Sequence, residues 1–195
     1  MVARAVPSLA EAARKLSSAH TALAALDFLA SPSIVSDPYG AHLAWTFLSS
    51  LAKEGVPATV RCYVICLLPQ MCGNKRLFRR ARDIIGKSCI SQDPLVRISA
   101  TAALAALARL DLLRDVAHIV GWIQNRLTDD EPAAAYYALD TLRSLVVNDE
   151  LEFDLVFRVL EKRLGVDLSN AEAVQGLDPF AREGIVALLG EGGRE

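Results

Sequence analysis

Asp93-Pro94-Leu95-Val96-Arg97-Ile98-Ser99-Ala100-Thr101-Ala102-Ala103-Leu104-Ala105-Ala106-Leu107 is the stretch that decides the fold. Asp93 suits an N-cap, because its carboxylate can accept the free N–H groups of a first helical turn, and Pro94 fits that turn without losing a bond. The run that follows is apolar nearly all round, interrupted chiefly by Arg97, Ser99, Thr101 and, further on, Arg109. A surface helix needs one apolar stripe, so this one is expected to be covered on several sides. The same opening recurs as Asp37-Pro38, Glu131-Pro132 and Asp178-Pro179, at intervals of 56, 38 and 47 residues. In three copies the run continues in register: Ala44, Leu48, Leu51; Ala100, Leu104, Leu107; and Ala138, Leu142, Leu145. The fourth holds through Ile185 and Leu189 and shares an arginine, Arg182, with the second. Periods near 40 residues belong to stacked helix pairs.

Working outward, the rest of the chain reads as helix with no credible strand. Expected segments are Ser8 to Ala30 (long or broken), Pro38 to Lys53, Pro57 to Met71, Lys75 to Ile90, Pro94 to Leu110, Leu112 to Leu127, Pro132 to Val147, Leu151 to Leu164 and Pro179 to Leu189. Turns at Ser31-Pro32-Ser33, Gly55-Val56-Pro57 and Gly73-Asn74 separate them, and Gly165 to Gly176 is the longest irregular connection. Short connections make neighbouring helices antiparallel. The expectation is an all-α fold, an irregular α-solenoid of about nine antiparallel helices in one domain, residues 1–195. Its N-terminal part, 1–74, is irregular, and clearer repeats fill 75–195. The last helix keeps Ile185, Val186, Leu188 and Leu189 with little charge beside them, where a terminal repeat is expected to be polar. That pattern suggests a piece of a longer solenoid or a subunit docked through this end.

The Asp-Pro-x-Val-Arg-x-x-Ala-x-x-Ala-Leu-x-x-Leu phrase, Asp93 to Leu107, resembles the intra-repeat turn and second helix of HEAT repeats, relatives of armadillo repeats. Ala41 and Ala135 stand where the family has arginine, so its Asp–Arg ladder is incomplete in this chain. The 56-residue gap implies an extra helix or irregular repeat between Gly55 and Gly73. Leu67-Leu68-Pro69-Gln70-Met71 with Asn74-Lys75, and Asp115 to Leu142 with Asn125, Thr128 and Pro132-Ala133-Ala134, are similar to focadhesin-like scaffolds, which are associated with the Ski–exosome RNA-decay machinery. This resemblance implies a HEAT-like protein-binding scaffold or adaptor in a larger cytoplasmic complex.

Composition narrows the function classes. A net charge of −2 offers no global attraction for nucleic acid or membrane. The longest dense apolar stretch, Cys62 to Leu68, falls well short of the ~20 residues that cross a bilayer. Cys62, Cys66, Cys72 and Cys89 lie in apolar helical stretches and read as reduced, buried thiols of a cytoplasmic or nuclear protein. Cys62 and Cys66 are one helical turn apart, yet no C-x2-C knuckle accompanies them, and His20, His42 and His118 are scattered. Neither a Gly-x-Ser-x-Gly elbow nor a phosphate-cradling glycine loop occurs, so no catalytic residue, metal or cofactor is expected and the chain does not read as an enzyme.

What remains is charge and aromatic placement. Lys75, Arg76, Arg79, Arg80 and Lys87 fall near one side of a helix and form either a basic ridge for acidic peptide or phosphate, or a plain solvated face. Asp83 is spaced to neutralise Arg79 or Arg80. Between Arg61 and Arg97 stand eight basic and two acidic residues, and between Leu127 and Asp178 twelve acidic and four basic. Local nets of +6 and −8 suggest two partner surfaces, or head-to-tail contacts between copies. Asp149, Glu150 and Glu152 represent the acidic side. Trp122, near His118 and Gln124, or one of Tyr136 and Tyr137, is a candidate groove anchor, since adjacent helical residues cannot share one buried site. The preferred function is a non-catalytic protein-interaction scaffold. The alternative is a HEAT-type nucleic-acid module in the manner of alkylpurine DNA glycosylases, using Lys75 to Arg82 on backbone phosphates; the acidic C-terminal half opposes it.

Overall fold

A computed structural model describes residues 19–110, 116–148 and 151–192. Their regular structure is helical, with no strand among them. The order is α1 (Ala19–Leu29), α2 (Pro32–Val35), α3 (Pro38–Leu51), α4 (Ala58–Leu67), a 3-10 turn (Leu68–Met71), α5 (Lys75–Ser88) and α6 (Pro94–Leu110). It continues with α7 (Val116–Gln124), α8 (Pro132–Val147), α9 (Phe153–Leu164), α10 (Ala171–Gln175) and α11 (Pro179–Gly192).

Local chemistry sets most boundaries. Asp37 accepts the Gly40 N–H at 2.7 Å, and Asp93 accepts those of Leu95 and Val96 at 2.9 and 3.4 Å. Glu131 makes no such bond from its longer side chain; instead, Asp129 accepts the Glu131 N–H at 3.0 Å. Asn74 caps α5 through the N–H groups of Arg76 and Leu77, both at 3.0 Å. Gly165 ends α9 in the left-handed conformation, φ +67°, where a side chain would be strained.

Three elements differ from the expectation. The segment expected as one helix from Pro57 to Met71 is α4 followed by a 3-10 turn, because Pro69 has no N–H to continue the α ladder. The Ser31-Pro32-Ser33 turn develops into α2, four residues long with Pro32 in its first turn. The connection from Gly165 to Gly176 contains α10, capped by Asn170 on the N–H groups of Glu172 and Ala173. The N-terminal part of the Ser8 to Ala30 segment, and Leu112 to Asp115, lie outside the described residues.

The helices pack in a consistent order. α4 lies against α6, α6 against α8 and α8 against α11, while α5 and α7 flank α6, and α9 touches both α7 and α8. At the N-terminal side, α1 and α3 cover α4. The expected covering of Pro94 to Leu110 is observed: Val96, Ala100, Ala103, Leu104, Leu107 and Ala108 are all buried. Small residues let the helices close up, and at Gly184 of α11 an added Cβ would lie 2.4 Å from the Leu139 Cδ2 of α8. One continuous cluster of buried side chains runs from Leu26 to Leu188.

Candidate interaction surface

α5 has two opposite faces. Phe78, Ala81, Ile85 and Ser88 are buried, and at 100° per residue they gather on one side. Lys75, Arg76, Arg79, Arg80 and Lys87 are all exposed and fall on the other. None of the five forms an ion pair among the described residues. Asp83, expected to neutralise Arg79 or Arg80, is instead held by its neighbour Arg82, whose Nη2 lies 3.0 Å from Asp83 Oδ1 and whose Nε lies at 3.2 Å. The five ridge cations therefore stay exposed to solvent.

At the C-terminal end of the ridge a cavity of about 400 Å³ opens between the end of α3, the start of α4 and the turn after α5. Lys53, Arg61 and Lys87 line it together with Glu54, Ser88 and Ser91. The Arg61 Nε is buried and meets no hydrogen-bond partner among the described residues. A second cavity, of about 490 Å³, lies between α10 and α11 beside Val186 and Arg182.

The other expected site residues are dispersed. Trp122 is half-buried on α7 and rests its indole on the α5 backbone: a Cβ added at Gly86 would stand 2.9 Å from Trp122 Cε2. Of the tyrosine pair, Tyr136 is half-buried and Tyr137 is exposed on α8. Glu152 is exposed just before α9, whereas Asp149 and Glu150 lie outside the described residues. The structure thus brings the five ridge cations together and leaves Trp122, Tyr136 and Glu152 on other elements. Arg61 and Lys53 were not singled out from sequence, although their positive charges flank the helix start at Pro57.

The thiols are unevenly accessible. Cys72 and Cys89 are buried, and that burial pushes both up to about 12, where they stay protonated. Cys66 is exposed and Cys62 half-buried. Among the described residues no group of three His, Cys, Asp or Glu side chains gathers in a metal-ligating arrangement. No described helix is long and apolar enough to cross a membrane.

Arg97, expected as part of an incomplete ladder, has a structural partner that the sequence did not reveal. Its Nε and Nη2 reach Asp129 Oδ2 and Oδ1 at 2.9 and 2.6 Å, and Nη2 also reaches Asp130 at 2.8 Å. Nη1 donates to the carbonyls of Ser91 and Gln92 at 3.0 and 3.2 Å. This guanidinium ties the turn before α6 to the turn before α8. The hydrogen bond to Asp129 is the main reason its own pKa is raised above the ordinary arginine value. Burial pushes Asp129 up, but hydrogen bonds from Arg97, from the Glu131 N–H and with Asp130, together with the Arg97 charge, outweigh it and leave the carboxyl below its ordinary value.

No family model matches the chain, and no curated protein matches it. Among solved structures the chain is similar to a crystal structure of an engineered protein, at 16% identity over 95% of each chain and a TM-score of 0.45.

Proposed function

We propose that this chain is an irregular HEAT-like α-solenoid that acts as a non-catalytic protein-interaction scaffold or adaptor, with the basic face of α5 as a docking surface. The observation that carries this reading is the ridge itself. Five cations stand on one exposed helix face with no ion pair among the described residues, while Asp83 of the same helix is occupied by Arg82. Charge runs on ordinary surfaces are interspersed with opposite charge, and a cluster left uncompensated favours an acidic partner. The α4, α6, α8, α11 packing row supports the stacked-repeat reading, and the phrase Asp93 to Leu107 that resembles HEAT repeats forms its central helix. A cytoplasmic complex, of the kind that focadhesin-like scaffolds join, is the setting that the resemblance favours.

The test is affinity purification with Arg79→Glu/Arg80→Glu beside the unaltered chain. A protein partner that is recovered by the unaltered chain and lost on charge reversal supports the scaffold. Salt-dependent binding of a generic DNA duplex, abolished by the same reversal, would instead support the nucleic-acid module. Recovery of identical protein complexes by both chains removes α5 from the docking surface.

A further inference from the structure

We infer that the cavity between α3, α4 and α5 is a receptor for a phosphate monoester, the phosphorylated side chain of an acidic peptide lying along the α5 ridge. The inference rests on the reading of α5 as a protein-docking face and adds the chemical group that face would select. Lys53 from the turn after α3, Arg61 from α4 and Lys87 from α5 line the cavity, against the one carboxylate of Glu54, a local excess of two positive charges. A phosphoserine or phosphothreonine carries about −1.5 to −2 at neutral pH, so it balances that excess.

The donors are also of the right kind. Arg61 brings a guanidinium to the lining, and its Nε is buried with no partner among the described residues, so the side chain is not tied up by a neighbour through that nitrogen. Guanidinium groups favour phosphate because their planar N–H fork addresses two oxygens at once. The Ser88 hydroxyl donates to the Ile84 carbonyl at 2.9 Å, and the Ser91 hydroxyl accepts the Asp93 N–H at 3.3 Å, which leaves the Ser91 proton available to an acceptor in the cavity. Ala52 and Ile84 add apolar wall that suits the methylene of a modified side chain.

The same features favour a peptide over nucleic acid. Backbone phosphates are diesters with a single charge, strung along an extended strand, whereas this is a recess for one dianion with Glu54 in its lining. The dimensions agree: about 400 Å³ lies within the ordinary range of ligand cavities. Lys87 belongs both to the cavity and to the ridge, so a phosphorylated residue held there places its flanking acids along Arg80, Arg79 and Arg76.

Fluorescence anisotropy with a fluorescein-labelled nonapeptide, one phosphoserine flanked by aspartates, and its unphosphorylated twin tests this directly. The phosphorylated peptide should bind at least about tenfold more tightly, as expected for charge-assisted bonds to a guanidinium. Arg61→Gln should erase that preference while leaving the twin's affinity unchanged. Arg79→Glu/Arg80→Glu should weaken both peptides and keep the preference. Lys87→Gln, on an exposed side chain, should reduce the preference at least about threefold and serves as the second variant if Arg61→Gln melts early. Equal binding of the two peptides, a preference that survives both Arg61→Gln and Lys87→Gln, or displacement of the phosphopeptide by an equimolar duplex oligonucleotide overturns the inference. If the preference is missing but the ridge reversal still weakens both peptides, the cavity assignment falls and the docking face stands.

Discussion

Arg97 and Asp129 show how much one side-chain pair can decide. Their side chains are 9% and 1% exposed, so neither charge is solvated well enough to stand alone. Removing one member of such a pair leaves the other buried and uncompensated, typically a loss of about 3–5 kcal/mol. Asp129→Asn should fall at the low end, about 3 kcal/mol, because the exposed Asp130 still reaches Arg97. Urea denaturation of the variant beside the unaltered chain measures this. The pH dependence follows from the same pair. Asp129 is held below its ordinary value of 3.8, so its stabilisation is complete above 3.8 and lost as pH falls through the lower folded value. Thermal melts in that acid range should decline less steeply for Asp129→Asn. At the other extreme, Tyr63 donates to Asp27 at 2.5 Å, and that bond, with burial and the Asp27 charge, raises the phenol to about 12. A raised folded value means that the contribution is complete below pH 10 and disappears as pH climbs towards about 12, a loss that Tyr63→Phe should remove.

At the scale of elements, two glycines in neighbouring helices make opposite predictions. Gly86 of α5 faces the Trp122 ring, and an added methyl would force a rigid indole aside. Overpacking of that kind destabilises by about 1–3 kcal/mol, against a gain of about 1 kcal/mol in helix propensity, so Gly86→Ala should lose about 1 kcal/mol. In a Trp45→Phe background, the emission of Trp122 should shift to the red as its ring leaves α5. Gly121 of α7 has nothing within 4 Å of an added Cβ, and Gly121→Ala should gain about 0.5–1 kcal/mol in the same assay.

Elements were also the scale at which the sequence was most legible. Pro94 to Leu110 and Pro132 to Val147 could be bounded from proline, caps and periodicity, because those signals are local. The sequence did not show that Pro69 would tighten the end of α4 into a 3-10 turn, or that Asn170 would start a helix within an apparent loop, since single caps resemble ordinary turn residues. The candidate site was legible only in part. A charge ridge follows from helical spacing, but the meeting of Lys53 and Arg61 with Lys87 depends on how three elements pack, and no spacing along the chain encodes that.

At the scale of the molecule, the buried apolar side chains among the described residues gather in one cluster. Cys72 and Cys89 both belong to it, whereas Cys66 is exposed. A thiol reagent should therefore modify Cys66 first, though more slowly than a free thiol because burial raises its pKa, and reach Cys72 and Cys89 together, at a rate set by opening of the shared core. Mass spectrometry of labelled peptides over time would check this, and well-separated rates for the two buried thiols would indicate that the fold opens in pieces. The same scale carries the charge contrast, a basic stretch around α5 followed by an acidic one beyond Leu127.

That contrast has a particular boundary. Arg97 is counted among the basic residues and Asp129 among the acidic ones, yet the two pair out of solvent, with Asp130 also on Arg97 and Arg126 also on Asp129. The border between the two territories is thus an internal salt, already neutralised when the chain folds. Folding therefore removes Arg97 and Asp129 from what an approaching molecule meets, and the exposed Asp130 is the carboxylate of that junction left in solvent.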